Sequence, residues 1–230
     1  MRDLLLKIIV ITDIHGRWSY IKYFLKNIKE LNFELLIVAG DLTYFSKYTE
    51  ALNILKTLYK EIGKKILFVP GNCDDARLLD LDNIDNNIFN IHTRLHIHNN
   101  IYFYGIGGSN KTPFNTWIEW SEDDFNRFLR NIENIDWNRL VLVTHTPIYS
   151  IMDYVNGENI GSRVLYDFLI THGSLLWITG HLHEYSGWVK VDKTIVLNPG
   201  PFIKGYYAII VIDNENVNID IRNFIENREK

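Results

Sequence analysis

Ile8-Ile9-Val10-Ile11-Thr12-Asp13-Ile14-His15-Gly16 is an apolar run that ends abruptly in a carboxylate, an imidazole and a glycine. It reads as a buried strand with metal-ligand side chains at its end. The same grammar recurs. Asp41 follows Leu35-Leu36-Ile37-Val38-Ala39-Gly40, and Asn72 follows Ile66-Leu67-Phe68-Val69-Pro70-Gly71. His145 follows Leu140-Val141-Leu142-Val143-Thr144, and His181 and His183 follow Leu175-Leu176-Trp177-Ile178-Thr179-Gly180. Open α/β sheets bind ligands outside the carboxyl ends of their strands. Five strands therefore deliver seven oxygen or nitrogen donors to one edge of one sheet, which is a site for two metal ions. Asp13 and His15 are two apart, as are His181 and His183, so each pair shares a side if strand geometry continues. Any one of these residues alone could equally cap a turn or fill a polar gap. The recurrence at strand ends is what favours a metal site.

Outward from these strands the chain alternates. Residues 17–31 show helical spacing through Ile21, Phe24, Leu25 and Ile28, and residues 47–62 through Leu52, Leu55, Leu58 and Tyr59. Strands alternating with helices of this length imply βαβ units and a parallel sheet. Short strands follow at Ile88-Phe89, Leu95-His96-Ile97 and Ile101-Tyr102-Phe103-Tyr104. Ser121, followed by Glu122, Asp123 and Asp124, predicts a helix start. A further helix is expected from about Ser162 to His172, stopped by Gly173. In the tail, Trp188–Val191 and Thr194–Leu197 flank a two-residue turn at Asp192-Lys193, and strands at Tyr206–Ile212 and Val217–Ile221 follow. Two mixed sheets packed face to face, with helices outside, account for this order in one domain spanning 1–230.

The chain has 230 residues and is 47% hydrophobic, enough for a substantial core. A net charge of −4 and the lack of a basic run argue against long nucleic acid as a partner. Cys73 is the lone cysteine, so no intrachain disulfide forms and a reducing compartment fits. Met1-Arg2-Asp3 and the apolar residues after it superficially resemble a secretion signal, but the run is short and leads into the Asp13 motif. It is read as strand. No stretch is long enough to span a membrane. The expected location is the cytoplasm, and a homodimer is left open.

The donor set mixes carboxylate, imidazole and amide, which suits Mn, Fe, Zn, Ni or Co better than Ca. Two divalent ions bring more positive charge than Asp13 and Asp41 neutralise. The excess favours an anionic phosphate ester and lowers the pKa of a bridging water.

The ordered set Asp13-x-His15, Gly40-Asp41, Gly71-Asn72-Cys73-Asp74, Thr144-His145-Thr146-Pro147 and Gly180-His181-x-His183 resembles the calcineurin-like metallophosphoesterases over nearly the whole chain. The resemblance implies a four-layer αββα sandwich. It also implies that Asp13, His15 and His183 hold one metal, that Asn72, His145 and His181 hold the other, and that Asp41 bridges them. Asp41, Asn72, His145 and His181 would then carry catalysis, with a metal-bridging hydroxide attacking phosphorus. The Gly105–Asn110 and Asn198–Pro201 segments look like the smaller prokaryotic branch of the superfamily. Many relatives have histidine after the motif asparagine, where it is thought to protonate the leaving group; here that residue is Cys73. A thiol donates protons poorly near neutral pH unless perturbed, and Gly-Asn-Cys-Asp chains resemble phosphodiesterases more often than broad monoesterases. The expected substrate is thus a small phosphodiester, with nucleotides among the candidates. The rivals are a catalytically silent protein-binding scaffold and a small oligonucleotide nuclease.

Other residues carry two readings each. Cys73 is a small buried hydrophobe or a substrate-facing group. His92, His96 and His98 are surface or interface histidines or a second metal site. His172 complements a helix C-terminus. Gly105–Gly108 form a tight turn or touch substrate through amides. Arg17 is solvated or clamps phosphate. Trp117, Trp120, Tyr149 and Tyr154 pack in the core or a dimer, or stack on an aromatic group of the substrate.

Overall fold

Strand β1 (Leu5–Ile11) is covered on both faces, which is why its sequence is continuously apolar instead of alternating. Ile9 and Ile11 enter a core shared with helices, while Ile8 and Val10 enter a core between two sheets. The structure is a computed structural model that describes residues 5–226. Met1-Arg2-Asp3, read above as leading into the first strand, lie outside the described residues.

After β1 come α1 (Trp18–Ile28), β2 (Leu35–Ala39), α2 (Tyr48–Ile62), β3 (Lys65–Val69), β4 (Asn83–Asp85) and β5 (Ile88–Asn90). Next are β6 (Leu95–His98), β7 (Ile101–Ile106) and a short pair, β8 (Ser109–Asn110) with β9 (Glu119–Trp120). The chain continues through α3 (Glu122–Leu129), β10 (Leu140–Thr144), a second short pair of β11 (Tyr154–Val155) and β12 (Glu158–Asn159), and α4 (Arg163–His172). It closes with β13 (Leu176–Ile178), β14 (Gly187–Val191), β15 (Thr194–Asn198), β16 (Tyr206–Asp213) and β17 (Asn216–Asn223).

The strands form a 7-stranded sheet in the order β17-β16-β1-β2-β3-β5-β4 and a 6-stranded sheet in the order β14-β15-β13-β10-β7-β6. Each has a parallel centre and antiparallel edges. Ile8, Val10, Ile37 and Leu67 of the first sheet pack against Val141, Val143, Ile178 and Leu197 of the second. Ile21, Phe24 and Ile28 of α1, with Ala51, Ile54, Leu55 and Leu58 of α2, cover the outside of the first sheet. Phe125 and Phe128 of α3, with Leu165 and Leu169 of α4, cover the second. This is the αββα sandwich expected from the motifs. No helix among the described residues is long and apolar enough to cross a membrane.

The expectation of one edge of one sheet is corrected. β1, β2 and β3 belong to the first sheet and β10 and β13 to the second. An apolar run signals burial but not which sheet the strand joins.

Several local expectations hold. Ser121 caps α3 in a reciprocal box with Asp124. Ser162 caps α4 and Gly173 ends it with φ 65°. Val191 pairs with Thr194, leaving Asp192-Lys193 as the two-residue turn, with Asp192 at φ 49° as such a turn requires.

Candidate metal centre

The donors converge because the chain turns sharply after each strand. Asp13, His15, Asp41 and His181 have φ of 56°, 45°, 49° and 67°. Asp and His enter this left-handed region more readily than most residues. The strand-alternation reading of the paired donors is therefore corrected. β1 ends at Ile11 and β13 at Ile178, so a turn, not the pleat, aims each pair. The turns are laced together: His15 N–H donates to Asp41 O at 2.9 Å and Gly16 N–H to Leu42 O at 2.9 Å. Two glycines allow the close approach. Where Gly40, at φ 99°, lacks a Cβ stands the His145 ring, and a Cβ on Gly71 would run into Asp41.

The side chains fall into two groups. In one, His183 Nε2 lies 3.1 Å from Asp13 Oδ1 and 3.2 Å from His15 Nε2. In the other, Asn72 Oδ1 is 3.0 Å from His145 Nε2 and 2.8 Å from His181 Nδ1. Asp41 touches both, with Oδ2 at 3.6 Å from His15 Nε2 and Oδ1 at 3.5 Å from His145 Nε2. His145 Nδ1 donates to Ala39 O at 2.8 Å, an outer contact that orients the ring and aims Nε2 inward.

The electrostatics pair carboxylate with imidazole. Burial opposes ionisation of Asp13, but hydrogen bonds from His15 and His183 outweigh it and hold its pKa well below the usual range. Burial likewise opposes ionisation of Asp41, but the charge and hydrogen bond of His145 together with the His15 charge hold its pKa below the usual value. Burial would lower His145, yet Asp41 and Asp13 raise it to about 9. His181 is pulled down to about 4, by burial first and then by His145.

A cation fits this arrangement. The facing Nε2 atoms of His15 and His183 repel as lone pairs unless a proton or a cation lies between them. The donor atoms of Asp13, His15 and His183 lie within 4.8 Å of one another, as do those of Asp13, Asp41 and His145. A set of carboxylate, imidazole and amide suits a divalent transition metal.

Cys73, which stands where many of the chains this sequence resembles have histidine, also reaches this centre. Its sulfur lies within 4.8 Å of donor atoms of His15 and Asp41. Burial, with the Asp41 charge, pushes the thiol pKa up. Asp74 belongs to the same motif, but its sequence position suggests no role. Its buried carboxylate accepts from Leu42 N at 3.0 Å, Thr43 N at 2.8 Å, Thr43 Oγ1 at 2.7 Å and Gly71 N at 2.8 Å. It ties the Asp41 loop to the Asn72 loop, and a tie between non-adjacent loops leaves no periodic signal in sequence.

His92 is not at the surface, a correction to the sequence reading. It is buried, stacks on Trp120 at 5.9 Å and accepts from Gly107 N at 2.9 Å. Gly108 N donates to Pro70 O at 2.8 Å, so the glycine run is a turn packed on the first sheet. His96 and His98 flank Lys65 Nζ, each at 3.4 Å. His172 stacks on Trp137 at 4.8 Å. Arg17 is exposed at the N-cap of α1. Of the singled-out aromatics, Trp120 donates to Gly107 O at 2.6 Å and Tyr149 lies under Arg163, whereas Trp117 and Tyr154 are exposed.

Comparison with known proteins agrees with this geometry. A curated relative, an uncharacterised protein of Methanocaldococcus jannaschii, is 33% identical over 226 residues, covering 92% of this chain and 97% of that one. Among solved structures, the protein TT1561 of Thermus thermophilus shares the fold with a TM-score of 0.73 at 16% identity, covering 96% of this chain and 99% of that one. A structure described as a novel archaeal phosphodiesterase matches with a TM-score of 0.53 at 17% identity, covering 94% and 100%. The family model for calcineurin-like phosphoesterases matches residues 6–185, which contain every donor described above, and the chain belongs to that family.

Proposed function

We propose that this protein is a dinuclear metal-dependent phosphoesterase acting on small phosphodiesters. Asp13, His15 and His183 would hold one divalent ion, and Asn72, His145 and His181 the other, with Asp41 shared. The observation that carries this reading is the division of the donors into two groups with Asp41 in contact with both. Bound divalent ions supply a lowered water pKa at neutral pH and charge neutralisation at the phosphoryl oxygens. The chain's own residues do the rest. His145 is aimed by Ala39 O, and Asp41 is held by Cys73 N–H at 2.8 Å. The buried Asp74 carboxylate, which ties the Asp41 loop to the Asn72 loop, keeps these donors in place with little reorganisation.

The leaving group distinguishes substrates. Burial keeps the Cys73 thiol protonated and weakly acidic, so it is a poor proton donor to an alkoxide. Esters whose leaving group departs as a stable anion are therefore favoured, and the preference for diesters rests on the Gly71-Asn72-Cys73-Asp74 pattern. The fold shared with an archaeal phosphodiesterase is in keeping with it. A single functional domain in the cytoplasm, without long nucleic acid as substrate, completes the proposal.

The test is hydrolysis of bis(p-nitrophenyl) phosphate beside p-nitrophenyl phosphate, on metal-stripped protein resupplied with Mn, Ni, Co, Zn or Mg. Turnover should require metal and favour the diester. Asp41→Ala and His181→Ala should each lower it by roughly a hundredfold or more. Undiminished hydrolysis in both variants would sink the assignment.

A further inference from the structure

Three exposed rings continue outward from the metal centre. The Tyr44 ring packs edge-on against His15 at 5.6 Å, Phe45 against Tyr44 at 4.8 Å, and Trp117 against Phe45 at 5.3 Å. Their relative exposures are 64%, 37% and 48%. Apolar rings left this open together mark a surface that meets something.

Their placement is built by the same motif that presents the donors. Phe45 N–H donates to Cys73 O at 3.0 Å, and Trp117 N–H to Asn72 O at 2.9 Å. The Asn72-Cys73 backbone thus anchors two loops from different parts of the chain. Phe45 is held at φ 49°, an uncommon conformation for a bulky aromatic. Strain of this kind persists where the surroundings over-determine it, and it clusters at ligand sites.

We infer that Tyr44, Phe45 and Trp117 form the specificity rim of the active site and stack a nucleobase carried on the phosphate ester. The inference deepens the phosphoesterase reading and rests on it for the position of the phosphate. With the phosphate at the metal centre, the group esterified to it would meet Tyr44, the ring that touches His15, and extend toward Phe45 and Trp117. Ring faces bind flat π-systems with little regard to base identity. The rim residues carry no positive charge, and the chain has a net charge of −4, which disfavours an anionic membrane surface as the occupant.

The experiment measures binding of AMP, glycerol 3-phosphate and octyl phosphate (below its micelle concentration) to the Mn-loaded protein by calorimetry. AMP should bind roughly tenfold more tightly than the other two, in line with the usual effect of stacking a base on a ring. Trp117→Ala and Tyr44→Ala should each remove most of that preference, and Trp117→Phe should retain much of it. Equal binding of all three ligands, tighter binding of octyl phosphate, or a preference that survives in both alanine variants would overturn the rim. Diester hydrolysis in the same samples separates the two proposals. Hydrolysis without AMP preference removes the rim alone. A ring-dependent AMP preference without hydrolysis by any metal removes the enzymatic reading and keeps the three rings only as a base-binding surface.

Discussion

Asp74 shows how much of the site depends on a residue outside the donor set. It accepts from the backbone of Leu42, Thr43 and Gly71, and so holds the turns that present Asp41 and Asn72. Burial, with the nearby Asp41 charge, raises its pKa to about 6 despite these donors. Asp74→Asn is expected to weaken metal binding by roughly 10- to 100-fold, the usual effect of removing an outer-shell partner. Titration of stripped protein with Mn checks this, and activity should return in part at high metal. His92 makes a prediction about stability. Burial, with Arg94 nearby, lowers its pKa to about 4 in the folded protein, against about 6.5 when unfolded. Between those values the unfolded chain binds more protons, so the contribution is full above about pH 6.5 and is lost as pH falls toward 4. His92→Gln should flatten that limb by on the order of 3 kcal/mol, read from urea unfolding at pH 7 and pH 4.5. Equal slopes in both proteins would assign the limb elsewhere.

At the scale of elements, α3 and α4 are coupled by more than their apolar faces. The acidic first turn of α3 complements its own dipole, as its sequence leads one to expect. Glu122 does more, accepting from Ser162 Oγ at 2.8 Å and Val164 N at 2.9 Å and thereby capping the start of α4. One carboxylate serves two helix N-termini, each with unpaired N–H groups. Glu122→Ala should therefore destabilise the protein by about 1–2 kcal/mol, measured as a shift of the denaturant midpoint at constant slope. A change within a few tenths of a kcal/mol would show that water replaces the carboxylate.

For the whole molecule, the site lies where both sheets present the ends of their parallel strands. Divalent ions bound there would between them link loops from β1, β2, β3, β10 and β13, and each would stabilise the folded state by mass action. At a free metal concentration about 100 times Kd the gain is about 2.7 kcal/mol, or roughly 5–10 °C in Tm for a chain of this size. Chelation should reverse the rise, and Asp41→Ala should show little of it. Asp41 and Asp13 raise His145 to about 9, so an ion bound at its Nε2 would displace a proton at pH 7. Calorimetry in two buffers of different ionisation enthalpy should record that release, with affinity falling as pH is lowered.

The seven side chains that converge between the sheets, their order and the strands that precede them were legible in the sequence, because each sits just after a continuous apolar run. The αββα layering was legible as well, since buried runs alternating with amphipathic helices leave few ways to cover every apolar face. Capping at Ser121, a helix start at about Ser162 and the Asp192-Lys193 turn are local and were read directly. Tertiary structure alone decided which sheet β10 and β13 join, because burial does not encode a neighbour. It alone aimed the donor pairs through left-handed turns, drew His92 inside and gave Asp74 and Glu122 their cross-loop bonds. It also placed Tyr44 and Phe45 beside Trp117. Those contacts join residues far apart in the chain, and spacing along a sequence carries no record of distances that only packing sets.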